Sequence, residues 1–230
     1  MGLRRSAASE ATARDPEADR GGRRADILLA AETLFAAKGY ALVSVRDIAA
    51  AASVPVALIR YYFGRKEDLL GHIFESRRRT IDERCSAMRE VRGRPGAARA
   101  GRIIRAWMEP VLRDRAEPAA ESFSILVARS IWEAGDENRR IVEHYYDPLA
   151  QTFIACMCAA LPGRDRASVI WGYQFALGAL LAFIADARVE RLSCGEERTA
   201  DPSRGPQLAA FITTGFLAAT ALPPSRPSQP

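Results

Sequence analysis

The sequence predicts an all-α fold: an N-terminal three-helix helix-turn-helix unit joined by one long helix to a larger C-terminal helical domain. Three observations predict it. Apolar residues recur at spacings of three and four along the body of the chain. Proline and glycine interrupt that pattern at helix-length intervals. No run of alternating β-branched residues offers a strand.

Residues 1–22 contain no aromatic side chain, and their only bulky aliphatic residues are Met1 and Leu3. Such a segment buries too little apolar surface to offset its ordering entropy, so a disordered arm is expected. Ile27, Leu28, Ala31, Leu34 and Phe35 then mark a helical stripe, with Gly39 placed to stop it at the C′ position. Ser44 with Asp47 three residues on forms a capping box with a shortened acid, opening a helix over 45–51. Ser53-Val54-Pro55 is a turn, and a second short helix covers 56–62 before Gly64. A long helix is expected over 66–91, ended by Gly93, Pro95 and Gly96. Further helices are expected over 97–115 (bent at Pro110), 118–134, 138–160 (kinked at Pro148), 165–192 and 206–221. The proline-rich residues 222–230 are expected to be disordered.

Composition narrows the classes. The chain has 230 residues and a net charge of +5, which hints at a polyanionic partner without demanding one. Only Lys38 and Lys66 are lysine, so the basic side chains are almost all arginine, a bias that carries little functional weight. Cys85, Cys156, Cys158 and Cys194 do not form a disulfide framework in a chain this long, and a reducing cytoplasm is the expected compartment. No uninterrupted apolar run reaches eighteen residues and no secretory h-region follows the N-terminal arginines, so no membrane association is expected.

Three short helices ahead of a long one, with a tight turn inside the middle pair, are what a helix-turn-helix needs. The support helix is 45–51, with Ile48 and Ala49 inward, and the reading helix is 56–62, with Leu58 and Ile59 inward and Phe63 packing at its end. Val56, Ala57 and Arg60 fall on the exposed side. Over 23–70 the chain resembles the DNA-binding domain of TetR-family transcriptional regulators. The resemblance is carried by Ile27-Leu-Leu-Ala-Ala31, Leu34-Phe35, Gly39-Tyr40 and Ser44-Val-Arg-Asp-Ile-Ala49. Val54-Pro-Val-Ala-Leu-Ile-Arg-Tyr-Tyr-Phe63 and Lys66-Glu-Asp-Leu-Leu70 complete it. Departures are Ser53, where the family usually has glycine, Ala57, where it has glycine or another small residue, and Arg60, where it often has tyrosine.

The resemblance implies double-stranded DNA as a partner. It places Arg46, Val56, Ala57 and Arg60 where family members touch base edges, and Ser44, Tyr61, Tyr62 and Lys66 where they hold phosphates. The chemistry is compatible: an arginine can pair bidentately with guanine, a small apolar side chain can meet a thymine methyl, and phosphate contacts set the register. The plainer alternatives are core packing for the Tyr61-Tyr62-Phe63 run, a solvated surface arginine for Arg46, and capture of Arg60 by Glu67 or Asp68.

Residues 97–221 hold twelve of the eighteen aromatic side chains, spread over five expected helices, which suits a helical core enclosing an apolar cavity. Trp107, Phe123, Trp132, Tyr145, Phe153, Trp171 and Gln174 are the expected lining, against the alternative that each aromatic only fills a core. Glu109, Glu121 and Glu133 are further candidates for a polar ligand contact or, equally, surface residues. The resemblance implies that this half binds a small effector and dimerises. Trp107-Met-Glu-Pro-Val and Trp171-Gly-Tyr-Gln-Phe-Ala-Leu-Gly loosely resemble the branch that answers to acyl or fatty-acid-like ligands, so the unidentified effector is expected to be small and largely apolar.

Phe175, Gly178, Ala179 and Ala182 on one helix, with Ile212 and Phe216 on the last, are the expected interface of a homodimer. A dimer sets two reading helices on successive major-groove turns, hence a pseudo-palindromic operator. Effector binding is expected to act through the 66–91 helix on their separation. No catalytic or metal constellation is visible, since His72 and His144 stand alone and Cys156 and Cys158 diverge on a helix; neither enzyme activity nor a cofactor is expected. The rival classes are a helical small-molecule-binding protein with a vestigial helix-turn-helix, and an enzyme that borrowed the fold. Local charge is more telling than the total: over 42–66 Arg46, Arg60, Arg65 and Lys66 face only Asp47. Eight arginines over 77–99 oppose three acids, with no role evident.

Overall fold

The computed structural model describes residues 16–115 and 118–222, all helix and connecting turns. Helices α1 (Pro16–Lys38), α2 (Val45–Ala51), α3 (Val56–Phe63) and α4 (Lys66–Ser76) build the N-terminal head. The C-terminal domain comprises α5 (Arg78–Glu90), α6 (Ala97–Arg115), α7 (Pro118–Trp132), α8 (Asp136–Ile141), α9 (Asp147–Ala160), α10 (Arg166–Ala185), α11 (Arg188–Leu192) and α12 (Gly205–Ala219). Residues 1–15 and 223–230 of the expected arm and tail lie outside the described residues.

The expected arm is corrected over 16–22, where α1 already runs. Pro16 opens it at a position where a missing N–H costs nothing. Gly21 and Gly22 face open space. Each costs up to about 1 kcal/mol in a helix, and elongation from a packed turn adds one bond per residue to offset that. The packed turn begins at Ile27, which is fully buried with Ala31 and Phe35.

Local chemistry sets the next boundaries as expected. Gly39 ends α1 with φ +84°. Ser44 caps α2: the Asp47 N–H donates to Ser44 Oγ at 3.2 Å, while the Ser44 N–H donates to Asp47 Oδ2 at 2.8 Å. Ser53 turns the chain with φ +53°, the left-handed region that makes glycine the easier residue at this position. Gly64 closes α3 with φ +74°, and the Arg65 N–H donates to Asp68 Oδ2 at 3.0 Å at the start of α4.

Three expected helices are broken. The 66–91 helix divides at Arg77, which has φ −105° and ψ 3°. Beside it the Ser76 hydroxyl donates to the Ile73 carbonyl at 2.7 Å, a back-bond of the kind that bends helices. The 138–160 helix is interrupted by a π-helical turn, Val142–Tyr146, before Pro148 in the first turn of α9. Widening the ladder there gives the proline ring room and uses one residue that an α-helix would not hold. The 165–192 helix stops at Ala185 and resumes as α11.

The head packs through α1 onto α2, α4 and α7, while α5 lies between α6 and α9, and α12 closes against α6 and α10. α10 is by length and composition apolar enough to cross a membrane. In the fold it buries Val169, Gly172, Tyr173, Ala176, Leu180, Leu181 and Ile184 on one face and exposes Ile170, Trp171 and Phe175 on the other. At Gly172 the helices meet so closely that a Cβ would lie 2.8 Å from Phe216 Cε2.

Candidate DNA interface and effector cavity

The α3 surface divides along helical spacing. Ile59 and Phe63, four apart, are buried, with the Phe63 ring 5.4 Å from His72 and under the Arg24 guanidinium. Ala57, Arg60 and Tyr61, at i, i+3 and i+4, form an exposed stripe, and Tyr61 is 80% exposed. Val56 and Tyr62 are half-buried at its margins, and Arg46 and Ser44 are exposed on α2 and its cap. The acids that compete for Arg60 are engaged elsewhere: Glu67 and Asp68 each lie 3.5 Å from Arg65 Nε. Among the described residues neither Arg46 nor Arg60 has an ion pair.

Ser44 and Lys66 are held differently from these. The Ser44 hydroxyl donates to Asp47 Oδ2 at 2.7 Å, which leaves it lone pairs but no proton to offer a phosphate. Those bonds hold the Asp47 carboxyl below the usual aspartate range, the Ser44 side-chain bond first. Lys66 turns inward: its ammonium donates to the Tyr40 and Val43 carbonyls, both at 3.1 Å, and stands 4.1 Å from the Tyr40 ring centroid. It clamps the α1–α2 connection to α4 and keeps one donor. Tyr40 is itself buried and its hydroxyl is pushed well above the ordinary tyrosine value, burial being the main cause.

In the C-terminal domain a cavity of about 290 Å³ lies among α5, α6, α7, the π-helical turn, α9 and α10. Of the seven candidate lining residues Trp107, Phe123 and Gln174 border it, with Ile81, Val111, Val127 and Leu177 adding apolar wall. The other four expected lining residues stand elsewhere. Trp132 and Trp171 are 58% and 62% exposed. Phe153 is fully buried behind the wall, its ring 5.2 Å from Trp107 and 5.3 Å from Tyr173. Tyr145 stacks on Phe74 and donates to Glu75 Oε2 at 3.0 Å. Its neighbour Tyr146 takes the cavity position. Of the acidic candidates, Glu133 pairs with Arg129 at 2.7 Å, and Glu109 and Glu121 are exposed.

Beyond Gln174, sequence reasoning missed the cavity's polar side. Arg77, Thr80, Arg84, Ser124, Asp147 and Tyr173 all reach it. Arg84 is buried, donates from Nε to the Trp107 carbonyl at 2.9 Å and lies 5.6 Å over that indole ring. The Trp107 indole N–H is buried with no hydrogen-bond partner among the described residues. Burial pushes the Tyr173 hydroxyl up to about 12, with the Arg84 charge opposing it, so it stays protonated and can donate.

The expected interface residues also divide. Phe175 and Ala182 are exposed and Gly178 and Ala179 half-buried on the outer face of α10. Ile212 and Phe216 are corrected: both are buried, and the Phe216 ring is 5.8 Å from Phe153, inside the protomer. Phe211, one residue earlier on α12, is the exposed aromatic instead. Among the described residues no group of three His, Cys, Asp or Glu side chains is disposed to hold a metal ion.

A helix-turn-helix head whose reading helix keeps an exposed arginine, fixed to a helical domain around a cavity, defines a transcription regulator by architecture. The chain belongs to the TetR family. The family model described as "Bacterial regulatory proteins, tetR family" matches residues 27–73, and "Tetracyclin repressor-like, C-terminal domain" matches 105–215. No curated protein matches in sequence. Solved structures share the fold at low identity. FadR of Bacillus subtilis, in complex with stearoyl-CoA, aligns at 16% identity and TM-score 0.58 over 83% of this chain and 98% of that one. FadR of Bacillus halodurans, a fatty acid degradation regulator, aligns at 18% and 0.55 over 94% and 100%. A TetR-like regulator of Rhodococcus sp. RHA1 aligns at 16% and 0.60 over 90% and 99%.

Proposed function

We propose that this protein is a dimeric, effector-responsive repressor that reads a pseudo-palindromic operator in the cytoplasm. The observation that carries the DNA reading is the α3 stripe of Ala57, Arg60 and Tyr61, exposed while the neighbouring acids are held by Arg65. Arg60 and Arg46 contact bases, with Val56 and Ala57 offering apolar contact to a thymine methyl. Tyr61 is the best-placed phosphate donor, Tyr62 contributes from its half-buried position, Ser44 accepts rather than donates, and Lys66 acts mainly as a clamp.

The effector is a small, largely apolar molecule. Support comes from the cavity's aromatic and aliphatic wall and from the stearoyl-CoA held by the structurally similar Bacillus subtilis FadR. The outer face of α10, with Trp171, Phe175 and Ala182, supports a two-fold helix-packing interface together with Phe211.

Selection from a random duplex pool, followed by mobility shift across a salt series, tests the reading. The expected product is a motif with two-fold symmetry, bound well above nonspecific background. Failure to enrich any motif would leave a small-molecule-binding protein with a vestigial helix-turn-helix. Light scattering is expected to give the dimer mass for the wild type and a monomer for Phe175→Arg; a monomeric wild type overturns the interface.

A further inference from the structure

Arg77 occupies three environments at once. It is the residue at which α4 gives way to α5, so it joins the helix that continues the reading head to the helix that walls the cavity. Its guanidinium lines the cavity, 5.3 Å over the ring of Phe123, another wall residue. It also faces Glu32 of α1, in the head, with Nη2 3.7 Å from Glu32 Oε2.

That ion pair is poorly made. Glu32 is 5% exposed, its Oε1 has no hydrogen-bond partner among the described residues, and the one contact to Arg77 is longer than a hydrogen bond. Burial pushes its carboxyl above the ordinary glutamate value, with the Arg77 charge pulling the other way. Arg77, in contrast, is 35% exposed on its side chain and opens on a space large enough for a ligand. The other cavity arginine, Arg84, already donates to the Trp107 carbonyl.

We infer that Arg77 is the recognition residue for an anionic group at one end of an apolar ligand, and that Glu32 is the resident anion this group displaces. The inference rests on the effector reading above and names the chemistry of that effector: a single apolar chain ending in a carboxylate or phosphate. Displacement strips α1 of its ion pair with the α4–α5 junction and leaves a buried carboxylate without its counter-charge, which is strongly unfavourable. The bound state is therefore one in which α1 and the junction separate, and the ligand acts by its differential affinity for that state.

Calorimetric titration of the full chain with dodecanoate, dodecyl phosphate and uncharged dodecan-1-ol tests this, using Arg77→Met, which keeps the packing on Phe123, and Glu32→Gln, which keeps the shape of the competitor. The wild type is expected to bind at least one of the two anions about tenfold more tightly than the alcohol, the worth of one charge-assisted hydrogen bond. Which anion is preferred distinguishes a carboxylate from a phosphate source. Arg77→Met is expected to level that preference. Glu32→Gln is expected to tighten anion binding several-fold and leave the alcohol unchanged, because only the anion competes with Glu32. A retained anion preference in Arg77→Met, or anion affinity unmoved in Glu32→Gln, overturns the inference. Equal binding of all three ligands by the wild type overturns it while sparing the effector cavity. Binding of none overturns both.

Discussion

The head and the C-terminal domain present function on opposite sides of their surfaces. In the head, the side chains suited to a partner are outside: Arg46, Ala57, Arg60 and Tyr61 are exposed, while Ile48, Ile59, Phe63 and Phe35 hold the scaffold beneath them. In the C-terminal domain the order is reversed, and the same residues that make the core, Trp107, Tyr146 and Tyr173 among them, also bound the cavity. A reader of DNA therefore separates stability from recognition, whereas a cavity couples them. The two regions are joined at several polar points: Arg77 to Glu32, Tyr145 to Glu75 Oε2 at 3.0 Å, Arg78 Nη1 to the same Glu75 oxygen at 3.5 Å, and Arg129 Nη2 to the Ala37 carbonyl at 3.3 Å.

The contrast is tested most severely at Trp107. Truncating a fully buried indole to alanine is expected to cost about 3–5 kcal/mol in denaturant unfolding and to remove ligand binding with it. A loss below roughly 1 kcal/mol would mean that the cavity wall is not part of the core, and that stability and recognition are not coupled there.

Within the head, Lys66 and Arg60 separate the two roles. Lys66→Met breaks two charge-assisted bonds to the Tyr40 and Val43 carbonyls and is expected to cost about 2 kcal/mol of stability. Arg60→Ala, on an exposed side chain, is expected to stay within about 0.5 kcal/mol of wild type in unfolding. It is expected to lose roughly 1–3 kcal/mol of discrimination at one base position of the selected motif. Reversed outcomes would make Lys66 the phosphate contact and Arg60 a structural residue.

Much of the head was legible because its determinants are local. Gly39, the Ser44–Asp47 box, Ser53 and Gly64 each act within one turn of themselves, and the helix periodicity between them places Ile59 and Phe63 inward without tertiary knowledge. The cavity was not legible to the same degree, and Tyr145 and Tyr146 show why. The π-helical turn over Val142–Tyr146 holds one more residue per turn than an α-helix, which moves Tyr146 to the cavity and Tyr145 to Phe74. Pro148, in the first turn of α9, is the available signal in the sequence. Arg77 and Arg84 were hidden in the cluster over 77–99, yet Arg77, Ile81, Arg84 and Met88 follow the three- and four-residue spacing of an inward stripe. Ile212 and Phe216 were misplaced because α12 is apolar on both sides, so periodicity alone does not choose its face.

A smaller effect of opposite sign is expected at Ser53. A residue with a Cβ at φ +53° bears roughly 1–2 kcal/mol of left-handed strain, and glycine relieves it at an entropic cost of about half that. Ser53→Gly is therefore expected to raise head stability by up to about 1 kcal/mol with no change in the selected motif. Destabilisation would show that the serine side chain holds the turn.

The smallest effect, and the one that sets the regions against each other, is the pH dependence. Asp47 and Asp68 are held below the ordinary aspartate range by hydrogen bonds from Ser44 and from the Arg65 backbone. A carboxyl whose folded value lies below its unfolded value contributes stability that is present above the unfolded value and disappears as pH falls through the folded one. Glu32 is displaced the other way, so its contribution is complete below the ordinary glutamate value and is lost as pH rises through the raised one. Acidification from neutrality is thus expected first to relieve the junction at Glu32 and only later to weaken the caps of α2 and α4. Thermal melts across that range are expected to show Glu32→Gln flattening the upper part of the profile and Asp47→Asn the lower part. Both carboxylates of the caps are exposed and screened, so their limb is the shallower of the two. If Glu32→Gln leaves the upper part unchanged, the carboxyl at the junction is not under the strain its burial implies, and the polar link between head and cavity loses its energetic basis.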